Sequence, residues 1–412
     1  MKKEHLGILS IPVIVAALGY FVDIYDLLLF QIVRVPSLTS FGLDKEAVNK
    51  SGEFIISIQM IGLLLGGILW GVMGDKKGRL SVLFGSIILY SIANICNGFV
   101  HTVNQYALTR FVAGVGLAGE LGAGITLVSE LISKEKRGVA TSLVAGIGLT
   151  GAIVAYFISK QFDWRICFFI GGALGFSLLL LRISVFESGM YKSLQKTNVS
   201  KGNFFMFFSN RERFKKYMLS IFIGLPTWYA VGILIAFSNK FGEKFGIKET
   251  IIPGKATMYA YIAISVGDVL VGFVSQWLKS RKKTLYIFYG LTAIAIALYF
   301  LQGPNSSSTE MYLICAGLGF GTGFWAIFVT MGAEQFGTNL RATAATTVPN
   351  MVRGSLPLML LLFNSLQHYF TYTSSGLITG VIIMTITVIS AYFTHETFGK
   401  DLDYLEPDLV KV

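Results

Sequence analysis

Long apolar runs alternate with short polar breaks along the whole chain. About 20 helical residues cross the roughly 30 Å hydrocarbon core of a bilayer, and runs of that length predict twelve helices. The expected spans are 9–33, 54–73, 80–100, 105–132, 139–159 and 165–185, then 217–237, 256–278, 284–301, 310–333, 342–362 and 375–394. The longest polar interval, 187–216, divides them six and six. The pattern therefore predicts an all-α membrane protein of two six-helix bundles. These are residues 1–186 and 217–398, with a linker 187–216 between them and a tail 399–412. The apolar stretch after the first ten residues is too long for a signal peptide and carries acids, so it is expected to be the first span.

Composition agrees with this reading. Of 412 residues, 53% are hydrophobic and 14% charged, where a soluble protein carries about 25% charged residues. The net charge of +11 does not call for nucleic acid, because Lys and Arg collect in the cytosolic loops of membrane proteins. Most of the 34 Lys and Arg lie on the face shared by the linker and both termini, which predicts that both termini are cytosolic. Cys96, Cys167 and Cys315 sit in or beside apolar runs without metal-ligand spacing. His5, His101, His368 and His395 do not cluster. With no nucleotide loop and no Ser/His/Asp array, no enzyme, metal or cofactor is expected.

Between the second and third spans stands Gly71-Val72-Met73-Gly74-Asp75-Lys76-Lys77-Gly78-Arg79. The gap is so short that the two helices must be antiparallel neighbours. This pattern resembles the signature loop between helices 2 and 3 of the major facilitator superfamily. The two halves also echo one another. Glu130 precedes Arg137 by seven residues after the fourth span, as Glu334 precedes Arg341 after the tenth. The segment 272–282 repeats the loop weakly, with Gln276 in the place of Asp75, and Glu187 is answered by Glu396. A six-helix repeat in one orientation is the parallel repeat of transporters. The resemblance implies that Gly71, Asp75, Gly78, Arg79, Glu130, Arg137, Glu334 and Arg341 form a charged latch at the cytosolic face.

Charge inside a span is costly and so informative. The first span carries Asp23, Tyr25 and Asp26, with the two acids three apart on one helix face. Two carboxylates so placed resist double ionisation, which makes them candidates for carrying a proton; the alternative is that buried Tyr or Arg partners satisfy both. Glu120 lies ten residues, about 15 Å, before Glu130 and is the third candidate. These segments resemble the metabolite:proton symporters, which carry dicarboxylates, citrate, shikimate and betaine-like solutes; the loops after spans 4 and 12 are similar to those of the sugar porters. In the second half, Arg353 reads either as a two-pronged anchor for a carboxylate or as an ion-pair partner of Asp268. Asn350, Trp228, Tyr229 and Trp325 are further candidates for the substrate cavity, with Tyr25 and Asp268.

The expected function is secondary active transport: proton-coupled symport of a small polar metabolite, a carboxylate or a zwitterion, by a monomer in the bacterial inner membrane. Proton-driven export of an organic or siderophore-like solute is the alternative, and sugar uptake a third. The partners expected are the small-molecule substrate, protons and the lipid bilayer, without nucleic acid.

Overall fold

The computed structural model describes residues 7, 9–133, 136–181, 203–400 and 404–406. Most of the expected linker, with Glu187, and the side chains of Arg79 and Arg137 lie outside the described residues. Among the described residues, eleven helices are long and apolar enough to cross a membrane. They are α1 (Ile11–Thr39), α2 (Lys45–Lys77), α3 (Leu80–Asn97), α4 (Val103–Val128), α5 (Gly138–Gln161) and α6 (Trp164–Leu181), then α7 (Arg211–Ile235), α8 (Pro253–Leu278), α9 (Arg281–Phe300), α10 (Ser308–Glu334) and α12 (Tyr372–Phe393). The twelfth, α11, comes in two pieces, Thr338–Gly354 and Leu356–Leu366, parted at Ser355.

The first piece of α11 is rich in Thr, Asn and Arg, yet all of it but Met351 is buried. A polar helix is tolerated there because it packs between the two halves, against α2 and α4, and not against lipid. The Thr347 hydroxyl bonds the Thr343 carbonyl one turn back, at 2.6 Å, so this polar group is met within the helix.

Several boundaries differ from the hydropathy pattern. Helix α1 continues past Val33 to Thr39 through Pro36. Helix α7 begins at Arg211, six residues before the apolar run, with Asn210 as its side-chain cap. It also holds a wide turn in which the Ala236 N–H reaches the Val231 carbonyl, five residues back. The spans expected as single helices at 105–132 and 310–333 are interrupted, after Leu117 and after Gly321.

Two seams join the halves. At one, α2 runs along α11; a Cβ on Gly71 would stand 3.1 Å from the Thr343 Cα, so a larger residue there would push the two helices slightly apart. At the other, α5 meets α8, where the Ser265 hydroxyl bonds the Gly146 carbonyl. The hydroxyls of Thr330 and Thr141 also bridge α10 and α5 at 3.2 Å.

Candidate functional site

Residues of α1, α5, α7, α8, α10 and α11 meet around a small central cavity. Its walls are aromatic, from Tyr20, Trp228, Tyr261 and Trp325, and Arg353 is its cation. The volume is about 20 Å³, which is room for a water and not for a metabolite. Larger cavities lie at the periphery, one beside Lys215, Lys216 and His395 and one beside Lys45 and Lys248. Neither combines a buried cation with aromatic walls from both halves.

Arg353 is buried. One guanidinium nitrogen donates to Asn350 Oδ1 at 3.1 Å, and the group lies 5.7 Å from the Trp325 ring centre. Arg353 Nε, Trp325 Nε1 and Thr227 Oγ1 are buried without a hydrogen-bond partner among the described residues. Such groups are costly unless something else meets them. Tyr20, on α1, is within electrostatic reach of Arg353, Asp23, Tyr261 and Asp268.

The other candidates divide. The expected ion pair between Arg353 and Asp268 does not form: Asp268 Oδ1 accepts instead from the Ala326 N–H at 2.9 Å. Tyr25 does not face the cavity, because its hydroxyl donates to the Cys167 carbonyl at 2.8 Å within the first half. Tyr229 likewise turns to α12, where it donates to the Gly376 carbonyl at 2.6 Å. Asn350 supports the site from behind, its amide bonded to the Ala118 carbonyl at 2.8 Å. Asp26 is paired with Arg110 at 2.7 Å, both fully buried, and Arg110 also holds Asn94 and Asn97. Glu120 accepts from the Ser86 hydroxyl at 2.6 Å, against α3 and away from the cavity lining. Of the three proton candidates, Asp23 is the one within electrostatic reach of Tyr20 in the cavity wall.

Of the residues expected in the latch, Asp75, Glu130 and Arg341 make contacts across the halves. Asp75, fully buried, accepts from the backbone N–H of Ala342 at 3.2 Å, and from the N–H and hydroxyl of Thr343 at 2.8 and 2.6 Å. The carboxylate lies against the second turn of α11, near the positive end of the helix. Gly78, at φ +100°, makes the turn into α3. Glu130 lies 3.6 Å from Arg341, again between halves. Glu334 is held by Arg281 through two bonds of 2.9 and 2.8 Å, and by the Thr397 hydroxyl at 2.8 Å.

Arg281 is not singled out by the sequence pattern; its place in the weak echo at 272–282, one residue past the position that answers Arg79, is the signal that could have found it. Tyr20 and Tyr261 were also missed, because aromatic residues are common in spans and nothing local marks a cavity wall. The opposite face is bridged too. Lys45 pairs with Glu243 at 2.7 Å, and Arg34 donates to the Ala236 carbonyl at 3.2 Å. With both faces bridged and the centre contracted, the structure is closed around its core.

A family model described as Major Facilitator Superfamily matches residues 16–355. A putative niacin/nicotinamide transporter of Bacillus subtilis is 28% identical over 347 residues, covering 81% of this chain and 82% of that protein. The niacin transporter of Acinetobacter baylyi is 25% identical over 94% of each chain. The benzoate transport protein of the same organism is 23% identical over 92% of this chain and 89% of its own. Among solved structures, a proton:xylose symporter bound to 6-bromo-6-deoxy-D-glucose superposes with a TM-score of 0.76 at 17% identity, over 95% of this chain and 97% of that one.

Proposed function

The chain belongs to the major facilitator superfamily, and on that premise we propose that it takes up a small aromatic carboxylate together with a proton. It is a membrane transporter and not an enzyme. The observation that carries the substrate class is the central cavity: Arg353 Nε and Trp325 Nε1 stand there as unmet donors between aromatic walls. Once the contracted centre opens, Tyr20, Trp228 and Tyr261 would offer flat faces to a ring, and a carboxylate would answer the two donors. Relatives named for niacin and benzoate transport support this reading.

Asp23 carries the proton. Arg353 lies in the cavity wall, and Asp23 and Asp268 lie within electrostatic reach of Tyr20 in the same wall, so an arriving anion would raise the negative charge around the acids and favour protonation there. The cluster at Asp75, Glu130 and Arg341 is the cytosolic latch, on the face of both termini. Opening it while the Lys45–Glu243 side stays shut would expose the site to the cytosol, by rocking of residues 1–186 against 217–398.

The test is uptake of labelled benzoate and nicotinate into cells expressing the protein, against cells carrying the empty vector. Accumulation that collapses with a protonophore is expected. Arg353→Lys should weaken apparent affinity about tenfold or more, because the planar two-pronged donor is lost while the charge stays. Uptake of neither compound above the vector control would refute the substrate class.

A further inference from the structure

Helix α10 does not run straight. It stops at Gly321 and restarts at Trp325, with no side-chain cap of its own. A helix that restarts within the bilayer leaves N–H groups without helical partners, and no water is at hand to meet them. Asp268, fully buried on α8, supplies the acceptor: its Oδ1 takes the Ala326 N–H at 2.9 Å. The neighbouring Gly267 lets the two helices close at this point, since a Cβ there would stand 2.9 Å from the Phe320 carbonyl oxygen and 3.1 Å from the Gly323 Cα. The first residue after the break is Trp325, 3% exposed, which walls the central cavity and faces Arg353.

We infer that Asp268 is a positioning residue and not a substrate ligand: its carboxylate caps the second half of α10 from α8, and so fixes the Trp325 indole beside Arg353. Asp268 Oδ2 has no hydrogen-bond partner among the described residues, so the cap rests on Oδ1 and needs an acceptor oxygen more than a charge. The consequence for transport rests on the reading of this cavity as the substrate site; the geometry of the cap does not.

Two substitutions separate a cap from a charge. Asp268→Asn keeps an acceptor oxygen within reach of Ala326, whereas Asp268→Ala removes it. In purified protein, acrylamide quenching of Trp325 is taken as the difference between each form and its Trp325→Phe counterpart. Quenching should rise in Asp268→Ala and stay at the parental level in Asp268→Asn. For benzoate uptake, Asp268→Ala should raise KM about tenfold, the size of one lost helix cap, with Asp268→Asn close to the parent. An Asp268→Asn form that behaves like Asp268→Ala in both readouts, or an Asp268→Ala form with unchanged quenching, overturns the inference. If Asp268→Ala does not fold, Asp268→Asn decides alone, since a tenfold KM rise or exposed Trp325 in that form contradicts a cap. If the parent takes up no benzoate, the substrate reading falls while the quenching arm still judges the cap.

Discussion

Asp23 and Asp26 stand three residues apart on α1 and answer to different partners. Asp26 is spent on Arg110 in a fully buried pair, and removing one member of such a pair strands the other charge. Asp26→Asn is therefore expected to cost about 3–5 kcal/mol, read as loss of the monodisperse peak in detergent or a large drop in melting temperature. Asp23 lies within reach of the central Tyr20, as Arg353 does. Asp23→Asn should fold and still exchange benzoate across the membrane, but fail to concentrate it; full accumulation would move the proton to another group. The acids and Arg353 are legible in sequence because a charge within an apolar run is conspicuous. Their partners are not. Asp26 and Arg110 are 84 residues apart, and Asp268 finds a backbone N–H where the sequence offers an Arg. Tyr25 and Tyr229 show the same limit, since a span's hydropathy does not say which of its tyrosines turns toward a neighbour's carbonyl.

At the scale of elements, the number of helices is readable from hydropathy and their interruptions are not. A break of a few residues leaves the average of a 20-residue window unchanged, so the restart at Trp325 and the parting at Ser355 are invisible to it. Helix starts are better marked by chemistry. Glu396 sits beside the start of α9 and accepts from the N–H groups of Arg281 and Lys282 at 2.9 and 3.1 Å, and from the Ser280 hydroxyl. Burial alone would raise its pKa; the Ser280 hydroxyl and the backbone N–H groups of Phe398, Arg281 and Lys282 outweigh it and hold the carboxyl below the usual range. A depressed value means stability that is complete above the ordinary Glu pKa of about 4.3 and is lost as pH falls through the lowered value. Parent and Glu396→Gln should thus differ in melting temperature at pH 7 and converge in acid; a gap that persists below pH 3 would contradict this sign.

The start of α11 has a second partner. The segment Tyr404–Glu406 lies on it: the Thr338 N–H donates to the Tyr404 carbonyl at 2.8 Å, and the Glu406 N–H donates to Asn339 Oδ1 at 2.9 Å. A Cβ on Gly337 would fall 2.6 Å from the Glu406 nitrogen. Gly337→Ala should therefore dislodge this segment and speed amide hydrogen exchange at Thr338. Unchanged exchange would show that the segment shifts without letting go.

For the whole molecule, the fold is legible, because the apolar runs and the Gly71–Arg79 loop mark it along the chain; the two halves and the latch are expectations carried by the Glu130/Arg137 and Glu334/Arg341 echoes. Which latch residues touch is a matter of three dimensions: Asp75 reaches the start of α11, and Glu130 pairs with the second half's Arg341. Asp75→Asn should shift the balance between closed and open latch by about 1–3 kcal/mol, the worth of a charged hydrogen bond, without unfolding the protein. Faster alkylation of a cysteine placed in the seam at Thr347 would report it, and an unchanged rate would make Asp75 a turn residue alone.

Proton-coupled uptake of an aromatic carboxylate is tested most directly in proteoliposomes with a pH indicator in a weakly buffered outer medium. Addition of benzoate outside should alkalinise that medium as protons enter with the anion, and Asp23→Asn should abolish the signal while exchange of labelled benzoate persists. Benzoate entry into parent vesicles with no movement of protons would contradict the account.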